Sequence, residues 1–186
     1  TFTRGMNKPF DDIFVKTMQE TMKYLCKNIQ GCVLAYTQSD EISLVLVDYA
    51  TLTTDAWFGN NLQKMCSVSA SMAILTFNKA FAKTVSEWGH ENLPDWDMGG
   101  TNEPVDASIM KLCKVYGNAQ EKGAMFDARV FNIPKEEVCN YFIWRQQDAT
   151  RNSIQSVGQA NFSQNELFGK SCNDIQDMLM MQKGIN

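Results

Sequence analysis

Two apolar runs joined by Gln38-Ser39-Asp40-Glu41 constrain this chain more than any other feature. Cys32-Val33-Leu34-Ala35-Tyr36 and Ile42-Ser43-Leu44-Val45-Leu46-Val47 both read as strands, being apolar and rich in β-branched residues. The four residues between them have room only for a turn, so residues 32–49 read as an antiparallel hairpin with two acids at its tip. Successive side chains on a strand point to opposite faces, so Asp40 and Glu41 are not expected to act as a simple pair. One can face a cation while the other braces the turn. Two-metal phosphoryl-transfer sites display carboxylates in this way, because Mg²⁺ takes oxygen ligands and keeps several waters. A plain polar turn on an ordinary sheet needs the same residues.

The rest of the chain supplies helices to cover that hairpin. Pro9 fits a first helical turn, where its missing N–H costs nothing. Phe10, Ile13, Phe14, Met18, Met22 and Leu25 then follow helical spacing to about residue 29. Trp57 to about Trp88 reads as one long helix, with Leu62, Met65, Val68, Met72 and Leu75 on one face. Pro94, Gly99, Gly100, Pro104, Gly117 and Gly123 break the periodicity of 89–124, which reads as loop around a short helix at 107–115. Phe126–Ile133 reads as a strand. Pro134, Glu136 and Glu137 open a further helix, with acids near its N-terminus. Ser163-Gln164-Asn165-Glu166 is a capping box, and Gly169 and Gly184 are helix stops. With one strand expected upstream of residue 1, the order is β-α-β-β-α-β, the ferredoxin-like topology.

Composition excludes several classes. At 186 residues the chain suits one domain, or one with an appendage. A net charge of −4 gives no global field for nucleic acid, so an RNA contact must use local basic patches. The six cysteines lack CxxC spacing and His90 is the only histidine, which argues against zinc and for reduced thiols. No stretch approaches the roughly 18 apolar residues of a membrane span. No signal peptide is apparent, and a cytoplasmic location is expected. The chain opens on Thr1-Phe2-Thr3-Arg4, mid-motif, so trimmed ends are expected.

Ser39 can offer a hydroxyl to a phosphate oxygen. Lys8 and Asp11 fall at the start of the first helix, where a lysine suits a triphosphate. Asp11 can accept from a nucleotide hydroxyl or simply cap the helix. Lys64 reads either as a phosphate contact or as a solvated helix lysine. Arg145 and Asp148 stand three apart and can pair across one turn. Gln146, Gln147, Arg151 and Asn152 make that helix face unusually polar beside Trp144.

Five segments in order resemble one family. They are Lys8-Pro9-Phe10-Asp11, Gln38-Ser39-Asp40-Glu41, Trp57-Phe58 followed by Lys64, Phe126-Asp127-Ala128-Arg129-Val130, and Trp144-Arg145-Gln146-Gln147-Asp148. Together they resemble the tRNA-His guanylyltransferase superfamily, in its bacterial and archaeal guanylyltransferase-like branch. The resemblance implies an α+β fold: a ferredoxin-like polymerase palm with helices on one face of an antiparallel sheet, over residues 1–150, and a C-terminal helical appendage over 151–186. It also implies two Mg²⁺ ions, ATP and GTP as substrates, tRNA as partner, and a homotetramer.

Residue by residue, the resemblance makes Asp40 a metal ligand and, with Glu41, a catalytic residue. Lys8, Asp11, Ser39 and Lys64 become nucleotide-binding, and Arg145, Gln146, Asp148, Arg151 and Asn152 become RNA-binding. The partner carboxylate of Asp40 belongs to an Asp-Gly motif upstream of Thr1. Asn61 stands where relatives carry a basic residue. Eukaryotic relatives continue from the Trp-Arg-Gln-x-Asp motif with His-Ile-Asn-Asn-Leu-Tyr-Asn, whereas this chain has Ala149-Thr150-Arg151-Asn152-Ser153-Ile154. That departure points to template-directed repair of tRNA 5′ ends. Strict guanylyl transfer to tRNA-His, a nucleotide cyclase and a non-catalytic binding module are the competing readings.

Overall fold

A computed structural model describes residues 2–93 and 106–185. Its helices are α1 (Asp12–Asn28), α2 (Leu62–Asn92), α3 (Ala107–Lys122), α4 (Val138–Asn161), α5 (Gln164–Leu167) and α6 (Cys172–Met178), with strands β1 (Cys32–Gln38) and β2 (Glu41–Leu46). Two compact units emerge. The first comprises residues 1–6 and 12–130, the second residues 7–11 and 131–186.

In the first unit the hairpin forms as its sequence demands. β1 and β2 pair antiparallel from Gln38↔Glu41 to Cys32↔Leu46, with a bulge between Cys32 and Leu34. Gly31 makes the entry possible. Its φ is +78°, and a Cβ there would stand 2.9 Å from the Val47 carbonyl oxygen. Ile42, Leu44 and Leu46 pack on a cluster of Leu25, Ile29 and Ala73. α1 buries Ile13, Thr17, Met18, Thr21 and Leu25. The threonines escape a purely apolar reading. Each satisfies its hydroxyl one turn back, Thr17 on the Ile13 carbonyl (2.7 Å) and Thr21 on that of Thr17 (2.8 Å).

α2 contributes Phe77 and Phe81, both almost wholly buried and stacked at 6.0 Å. Phe2 meets their edges at 5.3 and 5.0 Å, and Tyr116 of α3 meets Phe81 at 6.2 Å. Asn78 ties the chain after α3 to α2, donating to the Ala124 carbonyl (3.0 Å) and accepting from its N–H (2.8 Å).

Several expectations need correction. The first helix starts at Asp12, so Pro9 lies before it and Phe10 is exposed. Trp57 does not begin the long helix: Trp57–Asn60 is a separate 3₁₀ turn, and α2 starts at Leu62. The buried face of α2 is Met65, Ala73, Phe77, Phe81 and Thr84, while Leu62 and Leu75 are exposed. The apolar residues near the N-terminus of α2 misled the phase, because the core is set by the aromatics further along. α3 runs to Lys122, past Gly117, because a single glycine costs a helix only about 1 kcal/mol. Pro94, Gly99, Gly100 and Pro104 lie outside the described residues. Phe126–Ile133 is irregular, not a strand: among the described residues the sheet has two strands, and this segment has no ladder partner. Phe126 nevertheless packs into the core, 5.3 Å from Phe77. A boundary at residue 150 would cut α4, which is continuous from Val138 to Asn161.

In the second unit, Phe162, Ile175 and Leu179 form a small core. Ser163 and Ser171 each begin a capping box, with Glu166 and Asp174. Only the first was legible as Ser-x-x-Glu. The second carries Asp where the pattern expects Glu or Gln. Among the described residues no helix is long and apolar enough to cross a membrane.

Two outcomes are expected of this architecture. Gly158 of α4 sits against α6, and a Cβ there would lie 2.6 Å from Cγ2 of the buried Ile175. A β-branched side chain cannot swing aside. Gly158→Ala should therefore lower stability by about 1–2 kcal/mol despite its better helix propensity. A double-mutant cycle with Ile175→Ala, read by thermal melting, should show the cost disappear.

The second concerns acid. Hydrogen bonds from the Ser163 hydroxyl and N–H hold the Glu166 carboxyl below its usual range, and those from Ser171 do the same for Asp174. A depressed folded-state pKa adds stability above the ordinary carboxylate range and loses it as pH falls through the lowered value. The gap in melting temperature between the wild type and the Ser163→Ala/Ser171→Ala variant should narrow as pH falls through and below the ordinary carboxylate range, leaving the part due to the lost hydroxyl caps of the Glu166 and Asp174 N–H groups.

Candidate functional site

The hairpin tip places Ser39, Asp40 and Glu41 in solvent. Ser39 has φ +48°, the left-handed conformation that a two-residue hairpin turn requires and that serine adopts at some cost. The strand stem locks the tip from below. The Tyr36 hydroxyl donates to Gln38 Oε1 (3.0 Å), the Thr37 hydroxyl donates to the Glu41 carbonyl (2.9 Å), and Gln38 Nε2 approaches Glu41 Oε2 at 3.5 Å. Asp40 thus projects from a braced turn, while the Glu41 carboxylate leans back towards Gln38.

Asp40 offers the hard oxygen donor that Mg²⁺ takes. Such ions are held by one or two carboxylates, with waters and substrate phosphates completing the shell. Among the described residues no group of three His, Cys, Asp or Glu side chains gathers to hold a metal. Asp40 offers an exposed carboxylate of the kind such a shell takes, and the described residues do not build an all-protein cage.

Lys64 lies in the same unit, in the first turn of α2. Asn61 is the N-cap, its side-chain oxygen accepting from the Lys64 N–H at 3.1 Å. Asn61, which stands where relatives carry a basic residue, thus has a structural task of its own. Asn in front of a helical run was the available signal. The first turn of α2 carries no acid. Its lysine stands at the positive end of the helix, a setting that suits phosphate.

The approach to α2 is unusual. Phe58, Gly59 and Asn60 all have positive φ, of 52°, 56° and 59°. Asn60 Nδ2 anchors the turn to Asp48 Oδ2 (3.1 Å), and Lys64 Nζ lies 5.9 Å from the Phe58 ring.

Lys8 and Asp11 belong to the second unit and are not one turn apart on a helix. Lys8 is exposed. Asp11 is 5% exposed and accepts from the Asn7 N–H at 3.0 Å, closing a turn ahead of α1.

In the same unit α4 organises its polar residues around Asp148. The carboxylate faces Arg145 at 3.5 Å, pairs with Arg151, and accepts from Asn152 Nδ2 at 3.3 Å. Arg145 is 8% exposed, and its guanidinium carbon lies 4.8 Å from the Trp144 ring centroid. Four of the five residues expected to bind RNA are thus members of one intrahelical network. Gln146 stands outside it and is exposed, its carbonyl accepting from the Thr150 hydroxyl.

Known proteins provide an independent view of these residues. A family model described as "Thg1: tRNAHis guanylyltransferase" matches residues 1–134. No curated protein gives a significant match. Among solved structures, a bacterial tRNA(His) guanylyltransferase (Thg1)-like protein in complex with ATP is 42% identical, with a TM-score of 0.78, and the match covers 100% of this chain and 67% of that one. A bacterial Thg1-like protein in complex with GTP is 38% identical, with a TM-score of 0.69, over 99% of this chain and 63% of that one. The tRNA(His) guanylyltransferase of Saccharomyces cerevisiae, 21% identical with a TM-score of 0.62 over 97% of this chain and 70% of that one, supports the fold. The chain spans about two thirds of the length of the bacterial structures it matches. It belongs to the tRNAHis guanylyltransferase family of nucleotidyltransferases.

Proposed function

We propose that the protein carrying this chain adds nucleotides to RNA 5′ ends in the 3′-to-5′ direction, directed by a template, and so repairs 5′-truncated tRNA. The observation that carries the reading is the braced hairpin tip presenting Asp40, in a chain similar along its length to bacterial proteins solved with ATP and with GTP. The phosphate of a 5′-monophosphorylated RNA end first attacks the α-phosphate of a nucleoside triphosphate and releases pyrophosphate, which leaves the terminal phosphate a good electrophile. The 3′-hydroxyl of the incoming nucleotide then attacks that phosphate, and the activating group leaves.

Both steps build negative charge on phosphate oxygens. Fixed positive charge and N–H groups stabilise it. Lys64 and the α2 N-terminus serve a triphosphate in this reading, and the exposed Lys8, which belongs to the other unit, is proposed by itself as a phosphate contact. The Ser39 hydroxyl can donate to a phosphate oxygen. Asp40 would hold Mg²⁺, which supplies charge neutralisation when bound, and Glu41 keeps the turn in shape. A ferredoxin-like palm, a cytoplasmic setting and a tetrameric assembly complete the proposal.

On α4 the exposed Gln146, Arg151 and Asn152 meet RNA phosphates and ribose hydroxyls. The buried Arg145 and the largely buried Asp148 hold that face in shape.

Asp40→Ala should abolish nucleotide addition and leave the melting temperature unchanged, because an exposed turn carboxylate contributes little to folding. Retained addition by a normally melting variant would remove Asp40 from the site. The direct assay of function uses tRNAs lacking the first nucleotide, with the opposing acceptor-stem base varied through all four identities. Incorporation should follow the complement of that base and stop once the stem is fully paired. Addition of G regardless of the template, and to tRNA-His alone, would instead establish a strict guanylyltransferase.

A further inference from the structure

A pair of thiols at the root of the hairpin is unconnected with nucleotide chemistry. Cys26 lies in the last turns of α1, and Cys32 is the first residue of β1. Their sulfurs are 3.6 Å apart, and the Cys32 thiol has both the Cys26 sulfur and the Leu34 carbonyl, each at 3.6 Å, within reach as acceptors. Both side chains are half-buried, and both thiols are free. Among the described residues the other four cysteines make no sulfur–sulfur contact.

The corner that holds the pair is well fixed. The Ile29 N–H donates to the Leu25 carbonyl (2.9 Å) and the Cys32 N–H to the Ile29 carbonyl (3.2 Å), while the Val47 N–H donates to the Gly31 carbonyl (2.8 Å). Proximity of this kind makes closure of a second sulfur bond intramolecular and fast.

We propose that Cys26 and Cys32 form a reversible oxidation site, which low-molecular-weight disulfides convert into an intramolecular Cys26–Cys32 disulfide. The Cys26 thiolate attacks one sulfur of the reagent disulfide, and a small thiolate leaves, giving a mixed disulfide on Cys26. Cys32 then loses its proton and attacks the Cys26 sulfur, releasing the second small thiolate. Two protein thiols are oxidised and one reagent disulfide is reduced to two thiols, so electrons and protons balance.

The order follows from the surroundings of Cys32. Burial, and then its contact with Cys26, push its thiol up to about 12, so it is the poorer first nucleophile. Once Cys26 is capped, the influence of a neighbouring thiolate is gone and Cys32 ionises more readily. The product clamps the end of α1 to the start of β1, beneath the strand that leads to Asp40. In a reducing compartment the dithiol form prevails, and the disulfide forms only under oxidative load.

The test uses the intact native protein and oxidised glutathione. Residual thiols are then blocked with iodoacetamide, and mass is measured before and after trypsin. Cleavage after Lys27 separates the two cysteines, so the disulfide appears as a linked pair of peptides. The expected result is loss of two hydrogens without a retained glutathione, a Cys26–Cys32 linked peptide, and full reversal by dithiothreitol. In Cys32→Ser the glutathione should remain on Cys26. Stable glutathionylation of the wild type, linkage to any other cysteine, or alkylation of both thiols after oxidation would overturn the proposal.

Discussion

The stacked pair Phe77 and Phe81 on α2 is the contact on which the first unit depends. These rings are 0% and 1% exposed, and Phe2, Tyr116 and Phe126 pack against them from three separate segments. Fully burying one such side chain contributes about 1.5–3 kcal/mol, a large share of a domain's net stability. α1 lies on the same cluster through Ile13, Met18 and Phe14. The hairpin in turn rests on the adjoining cluster of Leu25, Ile29 and Ala73, so the position of the acid tip is inherited from how α1 and α2 pack.

This arrangement separates the packed core from the exposed residues proposed to carry the chemistry. The aromatic core fixes the elements, whereas Ser39, Asp40 and Lys64 sit on exposed ends of those elements and bear little of the packing. The cost of the arrangement appears as backbone strain, with Ser39 and the Phe58–Asn60 turn at positive φ. Local hydrogen bonds hold both, those of Thr37 and Gln38 at the first and that between Asn60 and Asp48 at the second.

On α4, polarity had two causes that sequence could not separate. A run of Arg, Gln, Asp, Arg and Asn on one helix looks like a surface made for RNA. In the structure Asp148 draws Arg145, Arg151 and Asn152 into one network, and Arg145 is nearly inaccessible. Its charge is retained inside because the carboxylate and the Trp144 ring face it. Accessible polar groups remain on the same helix, at Gln146, Arg151 and Asn152.

The sequence by itself determined the hairpin, because two apolar strands flank a turn too short for any other solution, whereas the pairing of Gln38 with Glu41 and the bulge between Cys32 and Leu34 came from the structure. The sequence also determined the first capping box, the covering helices and the family, the last through five short segments in a fixed order. Tertiary structure decided what depends on contacts distant in the chain. Phe126–Ile133 has strand-like residues but no ladder partner among those described. The buried face of α2 follows Phe77 and Phe81 rather than Leu62 and Leu75, since several faces of a long apolar helix satisfy the same periodicity and only its neighbours choose one. The threonines of α1 are buried because their hydroxyls find carbonyls one turn back, and the Cys26–Cys32 contact arises from the corner at Gly31. Local pattern fixes what an element is, and packing fixes which of its faces is used.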